Sequence, residues 1–190
     1  MKEGQFSGEH NQLMQPLKIL VSGPSRSGKS IWAEKLIHNF KDITYVATAV
    51  DNITDADMHQ RIKLHRLRRP KEWQLLEYSK KSENILTQLS SRNIIFDSLG
   101  GFVSLHINEE NINWSNKSRD FVMNFRNHNK HYIIVIEETG WGVVPPTRLG
   151  GLFRDRLGLL AQELENYSQQ SWLVVQGRAI DLHKISVPIS

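Results

Sequence analysis

The residues Gly23-Pro24-Ser25-Arg26-Ser27-Gly28-Lys29-Ser30 fit the pattern G-x-x-x-x-G-K-[ST]. They directly follow the apolar run Ile19-Leu20-Val21 and precede a helical pattern, which is the strand, loop, helix context that the pattern requires. Each position has a physical task. Gly28 lets the backbone curl so that successive N–H groups face phosphate oxygens, the Lys29 ammonium reaches the β and γ phosphates, and the Ser30 hydroxyl ligates magnesium. The positive end of the following helix adds to the attraction. A nucleoside triphosphate, ATP or GTP, is the expected ligand of Gly23 to Ser30.

Such a loop needs a carboxylate on a neighbouring strand to hold the metal. Ile94-Ile95-Phe96-Asp97 is an apolar strand ending in that group, and Ile133-Ile134-Val135-Ile136-Glu137-Glu138 ends in two more. Asp97 is expected on magnesium, directly or through water, with Glu138 positioning a nucleophile or a metal-bound water. A solvated acid at a strand exit is the competing reading for either one alone.

A third feature is basic. Thr54-Asp55-Ala56-Asp57 has the composition of a helix start, and Pro70 marks the stop. Met58, Ile62 and His65 then share one face at i, i+4 and i+7, while Arg61, Lys63, Arg66, Arg68, Arg69 and Lys71 crowd the segment. Spacing alone leaves two readings open. His65 is either a packed histidine beside Met58 and Ile62, or a neutral imidazole that attacks phosphorus while arginines such as Arg66 and Arg69 neutralise a triphosphate. His128 and His131 straddle a helix end and a strand start, and His10, His38, His59, His106 and His183 show no metal-ligand spacing.

The elements that must hold these groups follow from periodicity. Apolar runs at Lys18 to Val21, Thr44 to Ala49, Trp73 to Leu76, Ile94 to Phe96, Tyr132 to Ile136 and Trp172 to Val175 lack polar alternation, as strands covered on both faces do. Helical patterns fall at Lys29 to Asn39, Asp55 to Arg69, Ser82 to Ser90, Trp114 to His128 and Leu152 to Tyr167. The alternation predicts an α/β domain with a mostly parallel central sheet flanked by helices and ligands at the carboxyl ends of the strands. The Asn-rich stretch Asn108 to Lys117 is expected as an insertion or mobile loop.

Composition bounds the rest. With 190 residues, one domain is expected over residues 17–190, after a loose polar tail at residues 1–16 that lacks the apolar core of a signal peptide. A cytoplasmic location is therefore expected. The absence of cysteine excludes disulfides, thiolate metal sites and a cysteine nucleophile. No apolar run is long enough for a membrane span, and the mean hydropathy is −0.43. The net charge of +4 suits anionic ligands but does not single out nucleic acid.

An ordered set of motifs carries a resemblance. Val21-Ser22-Gly23, Arg26-Ser27-Gly28-Lys29-Ser30, Thr44-Tyr45-Val46-Ala47-Thr48-Ala49, Arg61-Ile62 with His65-Arg66, Arg68-Arg69-Pro70 with Trp73, Glu138 with Gly140, Gly142-Val143-Val144-Pro145, Phe153-Arg154-Asp155 with Gly158, and Trp172-Leu173-Val174-Val175 with Gly177 follow one another from about Ile19 to Gly177. Together they resemble the bifunctional adenosylcobinamide kinase / adenosylcobinamide-phosphate guanylyltransferase family of cobalamin biosynthesis. The resemblance implies a RecA-like P-loop NTPase fold, a homotrimer, and two reactions. The first phosphorylates adenosylcobinamide, and the second transfers GMP from GTP to adenosylcobinamide-phosphate, giving adenosylcobinamide-GDP. It also implies that His65 carries the guanylyl group. Arg154 is expected either on phosphate, within the chain or across an interface, or in a surface pair with Asp155.

Several positions depart from the family pattern. Pro24 stands where a second glycine is common, and Ala161 replaces an Asn. Ser98 and Gly100 replace Cys and Thr, while Glu137 replaces an Asn and brings negative charge near a triphosphate. Three rival readings are distinguishable. Another P-loop small-molecule kinase would leave His65 as packing. A guanine-nucleotide switch would want Asn-Lys-x-Asp, which Asn116-Lys117-Ser118-Arg119 fails at its last position. A nucleic-acid-dependent ATPase would interleave aromatic residues with the basic ones, and that helix does not. Neither nucleic acid nor membrane is an expected partner.

Overall fold

The computed structural model describes residues 16–48, 56–80, 89–127 and 129–189. The helix start at Thr54-Asp55, most of the helix expected at Ser82 to Ser90, the tail, His10 and His128 lie outside the described residues, as do the side chains of Met58, His59 and Arg61.

The strands are β1 (Lys18–Gly23), β2 (Ile43–Ala47), β3 (Gln74–Glu77), β4 (Asn93–Asp97), β5 (His131–Glu137), β6 (Gln170–Val175) and β7 (Arg178–Asp181). They form one seven-stranded sheet in the order β3-β2-β4-β5-β1-β6-β7. Every pairing is parallel except that of β6 with β7. The described helices are α1 (Lys29–Ile37), α2 (Ala56–Arg68), α3 (Leu99–Leu105), α4 (Asn111–Asn127), α5 (Arg148–Glu165) and the short α6 (Leu182–Ile185).

The uninterrupted apolar strands are buried on both faces, and alternate residues enter separate cores. Leu20, Ile94, Phe96, Ile134 and Ile136 pack with Phe102, Phe121, Phe125, Leu157 and Leu160 from α3, α4 and α5. Ile19, Val21, Ile95, Ile133 and Val135 pack on the other side with Ala33 and Ile37 of α1. β5 separates β1, which feeds the phosphate loop, from β4, which ends in Asp97. This is the RecA-like form of the P-loop fold, and it gathers the motif residues at one edge, outside the carboxyl ends of β1, β4 and β5.

The structure corrects two readings and adds three elements. Asn108 to Lys117 is not a loop throughout, because α4 begins at Asn111. Trp114, Phe121, Val122 and Phe125 form its inward stripe, with Trp114 against Phe102 at a ring distance of 6.0 Å. The Asn-rich first turn obscured that period. Likewise α5 starts at Arg148, earlier than expected, where the Thr147 hydroxyl accepts the Gly150 N–H at 3.1 Å. The sequence reading had no α3, whose seven residues are too short to show a period. It also lacked α6 and β7. The strand β7 follows Gln176 and Gly177, both at positive φ, which is the geometry of a two-residue hairpin turn.

Candidate active site

The phosphate loop is pressed against its own sheet. Gly23 has φ +149°, and a Cβ there would lie 2.2 Å from the Val174 carbonyl oxygen of β6, so only glycine fits. Gly28, at φ +101°, turns the chain into α1. The Lys29 ammonium donates to the Pro24 carbonyl at 2.7 Å, the Gly177 N–H donates to the Ser27 carbonyl at 3.0 Å, and the Glu138 N–H donates to Gly23 O at 2.9 Å. Pro24 thus lacks an N–H but supplies a carbonyl that holds the loop lysine. The end of β5 is tied to the start of the loop.

A cleft of about 740 Å³ opens from this loop. Its walls include Ser25 to Ser30, Asp97, Glu137 and Glu138, and, from α2 and the residue following it, His65, Arg66, Arg68 and Arg69. Three arginines seat α2. Arg68 makes a two-pronged pair with Glu34 of α1 at 2.6 and 2.7 Å, Arg66 meets Glu77 of β3 at 2.9 Å, and the Arg69 guanidinium stacks 3.7 Å from the centre of the Tyr45 ring. His65 is thereby presented to the phosphate loop, with its side chain 30% exposed.

His65 Nδ1 stands 4.0 Å from Asp97 Oδ2, just beyond hydrogen-bond distance, and the same oxygen accepts the Tyr45 hydroxyl. Burial holds the His65 imidazole below the ordinary histidine range; Asp97 opposes this and Arg68 adds to it. The ring is therefore neutral at pH 7, the state in which nitrogen is nucleophilic. Burial together with the Asp97 charge drives the Tyr45 phenol far above its ordinary range, so Tyr45 is a donor to Asp97 at all working pH values.

Glu137 is also in the cleft. Its carboxylate accepts the Ser98 hydroxyl and, at 2.9 Å, the Gly100 N–H. Burial raises its pKa and these donors lower it, with burial the larger effect. The departures from the family pattern at 98, 100 and 137 are therefore one hydrogen-bonded cluster. Glu138 lines the cleft while its Oε1 accepts the Gly140 N–H at 2.7 Å.

Most of the residues singled out by spacing meet here. Arg154 does not line this cleft within one chain. It lies on α5 with its guanidinium 3.5 Å from Asp155, which is the surface-pair alternative. Tyr45, Ser98 and the apolar wall of Ile31, Ile62 and Leu75 were not singled out as site residues. Tyr45 had a signal, since it lies in a strand among Arg- and Asp-bearing partners, but its hydroxyl could be placed only once the strands were paired.

A family model described as cobinamide kinase / cobinamide phosphate guanyltransferase matches residues 19–182. The chain belongs to this family. The match spans every element that builds the cleft. Among relatives, the bifunctional adenosylcobalamin biosynthesis protein CobU of Escherichia coli K12 is 29% identical over 189 residues, covering 87% of this chain and 99% of that protein. The protein of the same description from Salmonella typhimurium LT2 is 28% identical over 187 residues, with the same coverage. Among solved structures, the PH0250 protein of Pyrococcus horikoshii OT3 shares the fold at a TM-score of 0.51 and 12% identity, over 92% of this chain and 89% of that one. Family membership and the RecA-like architecture thus agree on a nucleotide-using transferase frame. Among the described residues, no helix is long and apolar enough to cross a membrane.

Proposed function

We propose that this chain phosphorylates adenosylcobinamide from ATP or GTP, and then transfers GMP from GTP to adenosylcobinamide-phosphate through a guanylyl group carried on His65. The observation that carries this reading is the placement of a neutral, partly exposed imidazole in the same cleft as the phosphate loop.

In the first reaction, the amides of Ser25 to Ser30 and the Lys29 ammonium stabilise charge spreading over the transferred phosphoryl group. Arg66 and Arg69 add positive potential from α2 and its end. Glu138 stands at the cleft wall to orient the attacking hydroxyl. In the second, the His65 lone pair forms a bond to the α phosphorus of GTP, the bond from that phosphorus to the bridging oxygen breaks, and pyrophosphate leaves. A phosphate oxygen of adenosylcobinamide-phosphate then attacks the same phosphorus, and the nitrogen–phosphorus bond returns its electron pair to the ring. With Nδ1 facing Asp97, the reacting lone pair is on Nε2, and the carboxylate stabilises positive charge that develops on the ring.

The Ser30 hydroxyl and the Asp97 carboxylate are hard oxygen donors on one cleft, which suits magnesium. No cluster of three or more acidic or histidine side chains is present among the described residues, in keeping with an ion held largely by phosphate and water. Bound there, magnesium neutralises phosphate charge.

Assembly as a homotrimer belongs to the same reading. Trp141, Val143 and Val144, in the loop between β5 and α5, are 63%, 94% and 64% exposed, as residues that meet another subunit would be in one chain. Light scattering should then give three times the 22.0 kDa chain mass. Arg154, which follows this loop on α5, would act across such an interface. Action in the cytoplasm, where both nucleotides are supplied, completes the reading.

The deciding experiment incubates the protein with α-labelled GTP and magnesium and then denatures it. Acid-labile, base-stable label that is lost in His65→Ala, with γ-phosphate transfer to cobinamide retained, supports the proposal. Phosphoryl transfer without any protein-bound label would leave a small-molecule kinase alone.

A further inference from the structure

Glu137 sits at the end of β5 on the same face as Asp97. Asp97 is in register with Val135, and side chains two residues apart along a strand point the same way. The Glu137 carboxylate grips the turn that follows Asp97. Gly100 N–H donates to Oε2 at 2.9 Å, and the Ser98 hydroxyl donates to Oε1. A methyl group at position 100 would lie 2.5 Å from Oε2, so glycine there is what admits the acid.

The other side of the turn is gripped from β2. The Thr48 hydroxyl oxygen accepts Ser98 N–H at 2.7 Å and donates to Ser98 O at 2.9 Å, while Thr48 N–H donates to Asp97 O at 2.9 Å. Asp97 is consequently clamped between the exits of two neighbouring strands. Glu137 supplies the β5 half of the clamp.

We propose that Glu137 is a positioning residue for Asp97, holding the turn at Ser98 and Gly100 so that the Asp97 carboxylate is fixed toward the metal–nucleotide and His65. The proposal rests on the reading of Asp97 given above. It accounts for a second acid in a triphosphate cleft: both of its oxygens accept protein donors, which offsets the cost of its charge. Groups that orient a metal ligand set metal affinity, typically by ~10–100-fold when removed.

The test measures affinity for a fluorescent GTP analogue with magnesium and with a chelator, in wild type, Glu137→Ala, Glu137→Gln, Ser98→Ala and Asp97→Asn. Magnesium should tighten binding to the wild type, and Asp97→Asn should abolish that gain, which checks the reading of Asp97 independently of any transfer assay. Glu137→Ala should lose roughly 10-fold of the magnesium gain with metal-free affinity unchanged. Glu137→Gln should recover most of it, since its carbonyl still accepts Gly100 N–H and the Ser98 hydroxyl can turn to accept. Ser98→Ala, which keeps the carboxylate, should fall between and carries the test if Glu137→Ala fails to fold by circular dichroism. Retention of the full magnesium gain in Glu137→Ala, equal weakening with and without metal, or a wild type that gains nothing from magnesium would each overturn the proposal. Loss of the gain in Asp97→Asn but not in Glu137→Ala overturns the positioning role alone and leaves the reading of Asp97 standing.

Discussion

Asp97 Oδ2 lies 4.0 Å from His65 Nδ1. The same oxygen takes the hydroxyl of Tyr45, a residue only 1% exposed whose ring carries the Arg69 guanidinium on its face. One carboxylate thus stands between a phenol donor and an imidazole. Tyr45→Phe keeps the packed ring and removes only the donor. It is expected to cost ~1 kcal/mol of stability and to slow formation of the His65 label, while γ-phosphoryl transfer changes less. Single-turnover labelling beside thermal melting separates the two effects.

The pair between Arg68 and Glu34 joins the helix bearing His65 to the helix that follows the phosphate loop. Glu34 is 12% exposed and Arg68 34%, so the pair is partly screened and Arg68→Ala should cost about 1 kcal/mol. Its larger effect should be on rate. Release of α2 lowers the fraction of molecules in which His65 faces the nucleotide, so labelling from GTP should fall more than phosphoryl transfer does. Equal loss of both would show that the pair only supports the fold.

Gly23→Ala places a methyl group 2.2 Å from the Val174 carbonyl oxygen, at a φ of +149°. Crowding and backbone strain together should cost at least ~2 kcal/mol and abolish triphosphate binding. Gly142→Ala is the matched control, because a Cβ there meets nothing within 4 Å. Thermal denaturation and nucleotide titration of the two variants provide the comparison.

His131 predicts an acid limit to stability. Its Nδ1 accepts Leu17 N–H at 3.0 Å, which requires the unprotonated nitrogen. Burial, followed by Lys18 and Arg92, holds its pKa below the ordinary range. The folded chain therefore binds this proton less readily than the unfolded one. The contribution is complete above the unfolded pKa of ~6.5 and is lost as the pH falls through the lower folded value. Urea midpoints should decline below about pH 6.5 in wild type, and His131→Gln should flatten that slope.

The sheet and the phosphate loop were legible in the sequence because they depend on local signals: apolar runs without alternation, a strand–loop–helix context, and acids at strand exits. His65 was legible only as an open choice. The i, i+4, i+7 spacing put it on a face with Ile62, but which neighbour that face meets is decided by Arg68 reaching Glu34 across 34 residues. The start of α4 was hidden because Asn111, Asn113 and Asn116 mask the stripe begun by Trp114. β7 was hidden because Gln176-Gly177 is a less familiar hairpin pair than Asn-Gly. The Glu137 cluster joins residues 37 and 39 positions apart, so the sequence displayed its charge without the donors that satisfy it.

The helix carrying His65 buries little of its own apolar surface, with Leu64 57% and Leu67 73% exposed. It hangs instead from separate moorings at Glu34, Glu77 and Tyr45, each held by a different arginine. Severing one leaves the others, so the aim of the imidazole degrades by steps rather than all at once. Its outward residues can then drift freely without moving the imidazole they carry.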